Sequence, residues 1–187
     1  MSLIMHEGRV ILTSERIQLT IQRLCHHILE NHPDTTNLCI VGIQERGVLL
    51  AEKIRQQLVN MLGEQHFKYG MLDITFYRDD FRRRDTPIRA SATDISFTVE
   101  NRDIILIDDV LYTGRTVHAA IAAIQDLGRP RKIEMLCMVD RRFNRHFPIK
   151  ADYLGIAVDA VEEAYVRVRW KEKDGEDAVL LFAGKDQ

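Results

Sequence analysis

The sequence has no long apolar segment and very few cysteines. No apolar run approaches the roughly 20 residues that a membrane-spanning helix needs. Cys25, Cys39 and Cys137 are odd in number and widely spaced, they form no CxxC pair, and no charged-then-apolar signal segment is seen. These absences argue against a membrane protein and against a disulfide-rich secreted protein, and they predict a cytoplasmic location.

The chain also has almost no net charge and lacks the common glycine motifs of nucleotide sites. Its 26 basic and 28 acidic side chains give a formal charge of −2, so binding to nucleic acid would need a local basic patch. Neither the GKS or GKT of a Walker A loop nor a GxGxxG after a predicted strand is present. With 187 residues, 45% of them apolar, we expect a single domain over residues 5–187.

What the chain has instead is an alternation of helical and strand patterns. The spacing of apolar residues predicts helices over residues 14–31, 47–63 and 116–127. Continuous apolar runs predict buried strands over residues 38–41, 104–107 and 133–139, with a less regular strand at 71–76. This alternation predicts an α/β fold, in which helices cover both faces of a parallel sheet.

Two further segments depart from this alternation. Residues 77–93 are strongly polar and predict a mobile loop. Near the C-terminus, Val166, Val168 and Trp170 alternate with basic residues, and a turn at 173–176 leads to a second apolar run. This pattern predicts a hairpin at an edge or end of the sheet, with Trp170 in the core.

One segment, residues 104–116, combines features that suit a sugar phosphate. A buried strand ends in Asp108 and Asp109, and a turn that contains Gly114 leads into a helix. The N–H groups at the start of a helix bind phosphate well, and the hydroxyl of Thr113 adds a donor. Adjacent carboxylates would repel phosphate unless they face ligand hydroxyls or a hard cation such as magnesium. The alternative is that the carboxylates merely end a strand beside an ordinary turn.

Several motifs in one register resemble a single family. They are VGIQERG at 41–47, DITFYRDD at 73–80, DDVLYTGRT at 108–116, LGRP at 127–130, VDRR at 139–142 and PIKADYLG at 148–155. Over nearly its whole length the chain is similar to the bifunctional pyrimidine operon attenuation regulator and uracil phosphoribosyltransferase family. Tyr112 stands where hypoxanthine-type enzymes usually have an aspartate, which favours a pyrimidine substrate.

The resemblance implies a type I phosphoribosyltransferase fold, with a central parallel sheet flanked by helices, a small hood and a C-terminal β-hairpin. It implies a reaction in which uracil displaces diphosphate from 5-phosphoribosyl diphosphate (PRPP) to give UMP, with Mg²⁺ as cofactor. It also implies a homodimer or a higher homo-oligomer.

By the same resemblance, the candidate site residues fall into three groups. The catalytic group is Asp108 and Asp109, which also hold the metal, with Arg46 and Arg78. The PRPP-binding group is Gln44, Glu45, Gly47, Ile107, Val110, Leu111, Tyr112, Thr113, Gly114, Arg115 and Thr116. The base-binding group is Val139, Asp140 and Arg141. For Arg78 and for Arg82, Arg83 and Arg84, the alternative is a solvated run of charges.

The family also binds RNA through a basic surface, and the chain differs from the family in two segments. Residues 157–164 are acidic where the family is basic and serine-rich, and residues 142–148 are one residue longer than the family segment. Arg167, Arg169 and Lys171 are a candidate basic face for pyrimidine operon leader RNA, or simply a solvated strand face. The alternative function is therefore a UMP-sensing RNA-binding regulator with weak or no catalysis.

Overall fold

The computed structural model describes residues 8–63, 66–79, 92–159 and 164–182. The strands are β1 (Arg9–Leu12), β2 (Leu38–Ile43), β3 (Lys68–Leu72), β4 (Asp103–Leu111), β5 (Lys132–Arg141), β6 (Tyr153–Val158), β7 (Tyr165–Arg169) and β8 (Ala178–Phe182). The helices are α1 (Ser14–Asn31), α2 (Gly47–Leu62), α3 (Arg115–Leu127) and the short α4 (Lys171–Asp174), with a 3-10 turn at Thr75–Tyr77. The predicted α/β alternation is confirmed.

Five strands form a parallel sheet in the order β3-β2-β4-β5-β6. The central strand is β4, whose Leu106 lies level with Val41 of β2 and Met135 of β5. Because the strands run in the same direction, their carboxyl ends meet along one edge, which is where ligands of open α/β sheets bind. The tip of β4 therefore reaches the middle of the edge where a ligand is expected.

The parallel sheet is buried on both faces, which explains why its strands are continuously apolar. On one face, residues such as Ile40 and Ile105 belong to a core cluster that includes the buried sides of α1 and α2. On the other face, residues such as Val41 and Leu106 pack in a cluster with the buried side of α3. Burial on both faces fixes the position of the β4 tip between two layers of helices.

The predicted C-terminal hairpin is confirmed, but it does not extend the parallel sheet. β7 and β8 pair antiparallel, and β1 pairs with the other edge of β8, which gives a three-stranded sheet in the order β1-β8-β7. Of the two predicted positions, the edge of the parallel sheet is not observed, because β7 pairs with β8 and β8 with β1, a strand that the sequence pattern did not reveal. Trp170 is fully buried, as predicted, and it joins the core cluster of α1 and α2.

The other differences from the sequence prediction concern short segments. The strand predicted at 71–76 lies at 68–72, because Asp73 Oδ1 accepts bonds from the Thr75 N–H at 2.8 Å and hydroxyl at 2.6 Å, and this turn ends it. Strands β1 and β6 are not predicted, because β1 has four residues and Gly155 interrupts the apolar pattern of β6.

Parts of two predicted segments cannot be compared with the structure. Residues 80–91 of the polar loop, which include Arg82, Arg83 and Arg84, lie outside the described residues, and so do residues 160–163 of the acidic segment. None of the helices in the described ranges combines the length and the apolar character that a membrane span requires.

Candidate active site

The turn between β4 and α3 has the geometry of an anion site. Gly114 adopts a left-handed conformation with φ of 85°, which glycine tolerates without strain. The hydroxyl oxygen of Thr113 accepts a bond from the N–H of Arg115 at 3.3 Å, and the Gly114 carbonyl accepts from His118 at 2.9 Å. The turn therefore leads directly into a 13-residue helix, whose first N–H groups lie beside the tip of β4.

Asp108 and Asp109 form an acidic pair just before this turn. The N–H of Asp109 donates to Oδ1 of Asp108 over 2.9 Å. Burial, and then the negative charge of Asp109, raise the pKa of Asp108 well above its ordinary value. Burial also raises the pKa of Asp109, although the charge and hydrogen bond of Arg46 oppose the rise. Carboxylates in this state gain from a ligand that brings a cation or hydroxyl donors.

The loop between β2 and α2 lies directly against the tip of β4. A side-chain carbon at Gly47 would lie 2.3 Å from the carbonyl oxygen of Ile107 and 2.9 Å from the Cα of Asp108, so only glycine fits there. The peptide bond between Gln44 and Glu45 in this loop is cis. This contact brings residues 44–47 beside the acidic pair, as the sequence prediction requires.

Arg46 connects the loop to two other parts of the molecule. Its Nε lies 3.2 Å from Oδ2 of Asp109, and its Nη2 donates to Oδ2 of Asp174 over 2.8 Å and to the carbonyl of Val168. Val168 and Asp174 belong to the C-terminal hairpin, 122 and 128 residues away along the chain. In the sequence, Asp174 belongs to the turn predicted at 173–176 and shows no sign of a role at the site.

The tip of β5 lies beside the tip of β4, with Asp140 level with Leu111. The Arg141 guanidinium lies 3.9 Å from the centre of the Tyr112 ring, which is a close cation–π contact. Arg145 donates to both the Asp140 carboxylate and the Tyr112 carbonyl. The predicted base-binding residues are therefore next to Tyr112.

The segment after β5, residues 142–148, folds back onto the β4–α3 turn. The N–H groups of His146 and Phe147 donate to the Thr113 carbonyl at 2.9 and 3.2 Å. Asn144 donates to the Tyr112 hydroxyl at 2.8 Å. Asn144 and Arg145 are absent from the predicted site, and their only indication in the sequence is that they lie within four residues after VDR.

The remaining predicted residues are placed as follows. Ile107 and Leu111 are buried in the core, so only their backbone is available to a ligand, and Val110 is half-buried against the core. The Arg115 guanidinium contacts Asp79 and His146 beside a small cavity of about 120 Å³.

Four more predicted residues have less direct contacts. Glu45 is exposed and accepts a bond from Lys173 at 2.8 Å, and Gln44 donates to the Ala92 carbonyl at 3.2 Å. Arg78 lies close enough for its charge to favour the ionised form of Asp108. Thr116 is half-buried in the first turn of α3.

The fold and the site define the class of protein. Residues 10–173 match the family model described as "Phosphoribosyl transferase domain", which covers most of the chain. The fold is similar to hypoxanthine phosphoribosyltransferase from Staphylococcus aureus, with a TM-score of 0.70, 19% identity and coverage of 99% and 98% of the two chains. The Trypanosoma cruzi enzyme gives a TM-score of 0.71 with 14% identity and coverage of 96% and 99%. The chain is a phosphoribosyltransferase.

Curated relatives narrow this class to one family. The chain is 41% identical over 174 residues to "Bifunctional protein PyrR" of Elusimicrobium minutum, which covers 93% of this chain and 96% of the relative. It is 42% identical over 176 residues to the protein of the same name from Deinococcus radiodurans, with coverage of 94% and 95%. The chain therefore belongs to the PyrR family, and the resemblance found in the sequence is confirmed.

Proposed function

We propose that the protein transfers the phosphoribosyl group of PRPP to uracil, which gives UMP and diphosphate. The observation that carries the proposal is the meeting of three parts at one sheet edge: the acidic pair, the β4–α3 turn and the loop at 44–47. These parts supply, in order, partners for ribose hydroxyls, for a phosphate and for a diphosphate. Residues 10–173, which match the family model, include all three, and we propose one domain over residues 5–187.

The chemistry requires no nucleophilic side chain. A bond forms between a uracil ring nitrogen and the anomeric carbon of PRPP, the bond from that carbon to diphosphate breaks, and diphosphate leaves with the electron pair. The ring nitrogen loses its proton to the leaving diphosphate or to water. Asp108 and Asp109 hold the ribose hydroxyls, Thr113 to Thr116 hold the 5-phosphate, and Arg46 contacts the diphosphate, so that catalysis comes from positioning and charge stabilisation.

Uracil is proposed as the base because of the residues around Tyr112. An aromatic hydroxyl held by Asn144 stands where purine enzymes usually have an aspartate. Val139, Asp140 and Arg141 lie beside the base, and Arg145 holds the Asp140 carboxylate in place. Arg78 is assigned to the catalytic group, and its charge favours the ionised form of Asp108.

The acidic pair fits a magnesium ion that arrives with the substrate. In the described ranges there is no group of three or more histidine, cysteine or acidic side chains that could hold a metal alone. Mg²⁺ commonly binds through one or two carboxylates together with substrate phosphates, and Asp108 and Asp109 provide that number. The ion would neutralise the charge that develops on the leaving diphosphate.

A second candidate function is UMP-dependent binding to a pyrimidine operon leader RNA. The name "Bifunctional protein PyrR" of the relatives favours a second activity. The proposed basic face is weaker than its composition indicates, because Arg167 contacts Asp174 at 3.2 Å and Arg169 contacts Glu176 at 2.7 Å. Salt-sensitive binding to a leader hairpin that UMP strengthens would support this function, and its absence at low salt would exclude it. We propose a cytoplasmic homodimer or higher homo-oligomer.

The proposed function is tested by diphosphate release from PRPP and Mg²⁺ with a panel of uracil, hypoxanthine, guanine, adenine and orotate. We expect release with uracil and not with the other bases, and no release when Mg²⁺ is chelated. Release with a purine would overturn the choice of base. No release with any base, together with measurable binding of PRPP or UMP, would leave the RNA-binding regulator as the function.

A further inference from the structure

Asp174 of the C-terminal hairpin touches the candidate active site through Arg46. Its Oδ2 accepts bonds from Arg46 Nη2 at 2.8 Å and from the Trp170 N–H at 3.0 Å, and its Oδ1 accepts from Arg167 at 3.2 Å. Its side chain is only 10% exposed, although α4 is a short surface turn. Asp174 is therefore a fixed, largely buried acceptor for a guanidinium from another part of the chain.

The position of Asp174 is fixed by the core. Trp170 is fully buried, and its N–H binds the Asp174 carboxylate while its carbonyl accepts the N–H of Asp174 at 2.7 Å. Burial alone would raise the pKa of Asp174, but the Trp170 N–H and the hydrogen bond and charge of Arg46 outweigh it and lower the pKa. The carboxylate is thus ionised and immobile at neutral pH.

Asp174 and its neighbours hold one side of the Arg46 guanidinium. Nε is bound by Asp109, and Nη2 is bound by Asp174 and by the carbonyl of Val168. Within the described ranges, Nη1 has no hydrogen-bond partner, and the Arg46 side chain is 29% exposed. Three acceptors on three segments therefore orient the group and leave one nitrogen for an incoming anion.

We propose that Asp174 is a positioning residue, which holds the Arg46 guanidinium in the orientation that binds the diphosphate of PRPP. This inference rests on the proposed function and extends the site to the C-terminal hairpin. An arginine side chain loses considerable rotamer freedom when it binds an anion, and a partner that orders it beforehand lowers that cost.

If Asp174 acts through its charge alone, the change in PRPP affinity on its removal has the opposite sign, so an experiment can distinguish the two roles. If Asp174 acted only as a negative charge near an anion site, its removal would strengthen PRPP binding. If it positions Arg46, its removal weakens PRPP binding even though the site becomes more positive. The sign of the change in affinity therefore separates the two roles.

The test is Asp174→Asn, with PRPP binding measured by calorimetry in the presence of Mg²⁺ and with KM measured for each substrate. Asparagine keeps an acceptor for the Trp170 N–H, so we expect the hairpin and the melting temperature to be preserved. We expect PRPP to bind about tenfold more weakly, because a neutral amide oxygen holds the Arg46 guanidinium less strongly than a carboxylate does. The KM for uracil should not change.

A matched control and a double variant isolate the contact with Arg46. Glu176→Gln removes an ion pair with Arg169 on the same hairpin, and we expect no change in PRPP affinity. In an Arg46→Gln background, Asp174→Asn should add no further loss. An equal loss in that background, or unchanged or tighter binding by Asp174→Asn alone, would overturn the proposal.

Arg46→Lys tests the proposal independently of whether the hairpin variant folds. It keeps the positive charge but cannot form the same fork of bonds, so we expect a comparable loss of PRPP affinity. An unchanged PRPP affinity in this variant would show that the orientation of the guanidinium is unimportant, and it would overturn the proposal. If the unmodified protein binds no PRPP, the proposed function fails as well. If it binds PRPP and the variants do so equally well, only this inference fails.

Discussion

Strands β4 and β5 carry acidic side chains near both of their ends. The partners and pKa values of these side chains differ between the amino end and the carboxyl end. At the amino end, Arg131 binds Asp103, and Glu134 accepts bonds from His32 at 2.6 Å and Lys132 at 2.7 Å. The hydrogen bond from Arg131 lowers the pKa of Asp103 despite burial. At the carboxyl end, burial raises the pKa of both Asp108 and Asp109.

The carboxylates of the candidate site differ from those at the amino end in their raised pKa values, whereas cavity size does not point to the site. A cavity of about 460 Å³ lies beside His32 and Asp103 at the amino end, and it is larger than the cavity of about 120 Å³ beside Arg115. Yet the amino-end carboxylates already have permanent partners, so they contribute to stability. In the carboxyl-end pair, Arg46 binds Asp109 but does not offset the effect of burial on its pKa, so the two carboxylates still gain from a cation or a donor, as a binding site should.

The largest expected effect comes from Asp108→Asn, which should separate activity from stability. We expect the rate of diphosphate release to fall by a factor of about 100 or more, because the proposed ribose and metal contact is lost. Asparagine can still accept the Asp109 N–H, and the repulsion between two buried charges disappears, so unfolding should cost about 1 kcal/mol more. Steady-state kinetics and urea unfolding measure the two effects. Retained activity, or a lower free energy of unfolding, would contradict the proposed difference between the carboxylates at the amino and carboxyl ends of the strands.

Glu134→Gln should have the reverse effect at the amino end. Glu134 is buried and its two oxygens accept from His32, Lys132 and Tyr153, so the loss of its charge should cost about 2 kcal/mol of the free energy of unfolding. PRPP affinity of the folded protein should stay the same, because the residue lies at the other edge of the sheet. Urea unfolding and calorimetry test this. A weaker affinity for PRPP would mean that the two ends are coupled.

The smallest expected effect is a difference between the pH at which PRPP binding is lost and the pH at which the protein unfolds. Asp103 has a lowered pKa, so its stabilising contribution is complete above its unfolded-state pKa and is lost as the pH falls through the folded value. Asp108 and Asp109 have raised pKa values, so their ionised forms are lost at a higher pH. During acidification, PRPP binding should therefore disappear while the protein is still folded. Calorimetry and circular dichroism over the same pH series would show one common transition if this is wrong.

The sequence predicts most of the parallel sheet because its strands are buried on both faces. Helix α1 lies at the predicted residues 14–31, and β4 continues the predicted strand through both aspartates to Leu111. Strand β1 is missed because four residues carry too little periodicity, and β3 is displaced because a side-chain turn at Asp73 outweighs the local propensity for strand.

The sequence predicts the parts of the candidate site that stand in short motifs. It does not predict the contacts that depend on how separate segments pack together. The acidic pair, Gly114 and the loop at 44–47 stand in short motifs whose chemistry is local. Asp174 looks like an ordinary turn residue, and its contact with Arg46 depends on how the hairpin packs 128 residues away. Arg145 lies only five residues after Asp140, but its role depends on a chain reversal that the pattern does not encode.

Gly47 has a consequence for which parts of the site can vary. The first residue of α2 packs directly on the backbone of Ile107 and Asp108 with no room for a side chain, so this glycine sets the short distance between the loop and the acidic pair. The spacing between the proposed diphosphate and ribose subsites is therefore set by the backbone. The proposed base subsite is built from the side chains around Tyr112, and substitutions can reshape it. Such a site would keep one sugar donor constant while the acceptor base changes.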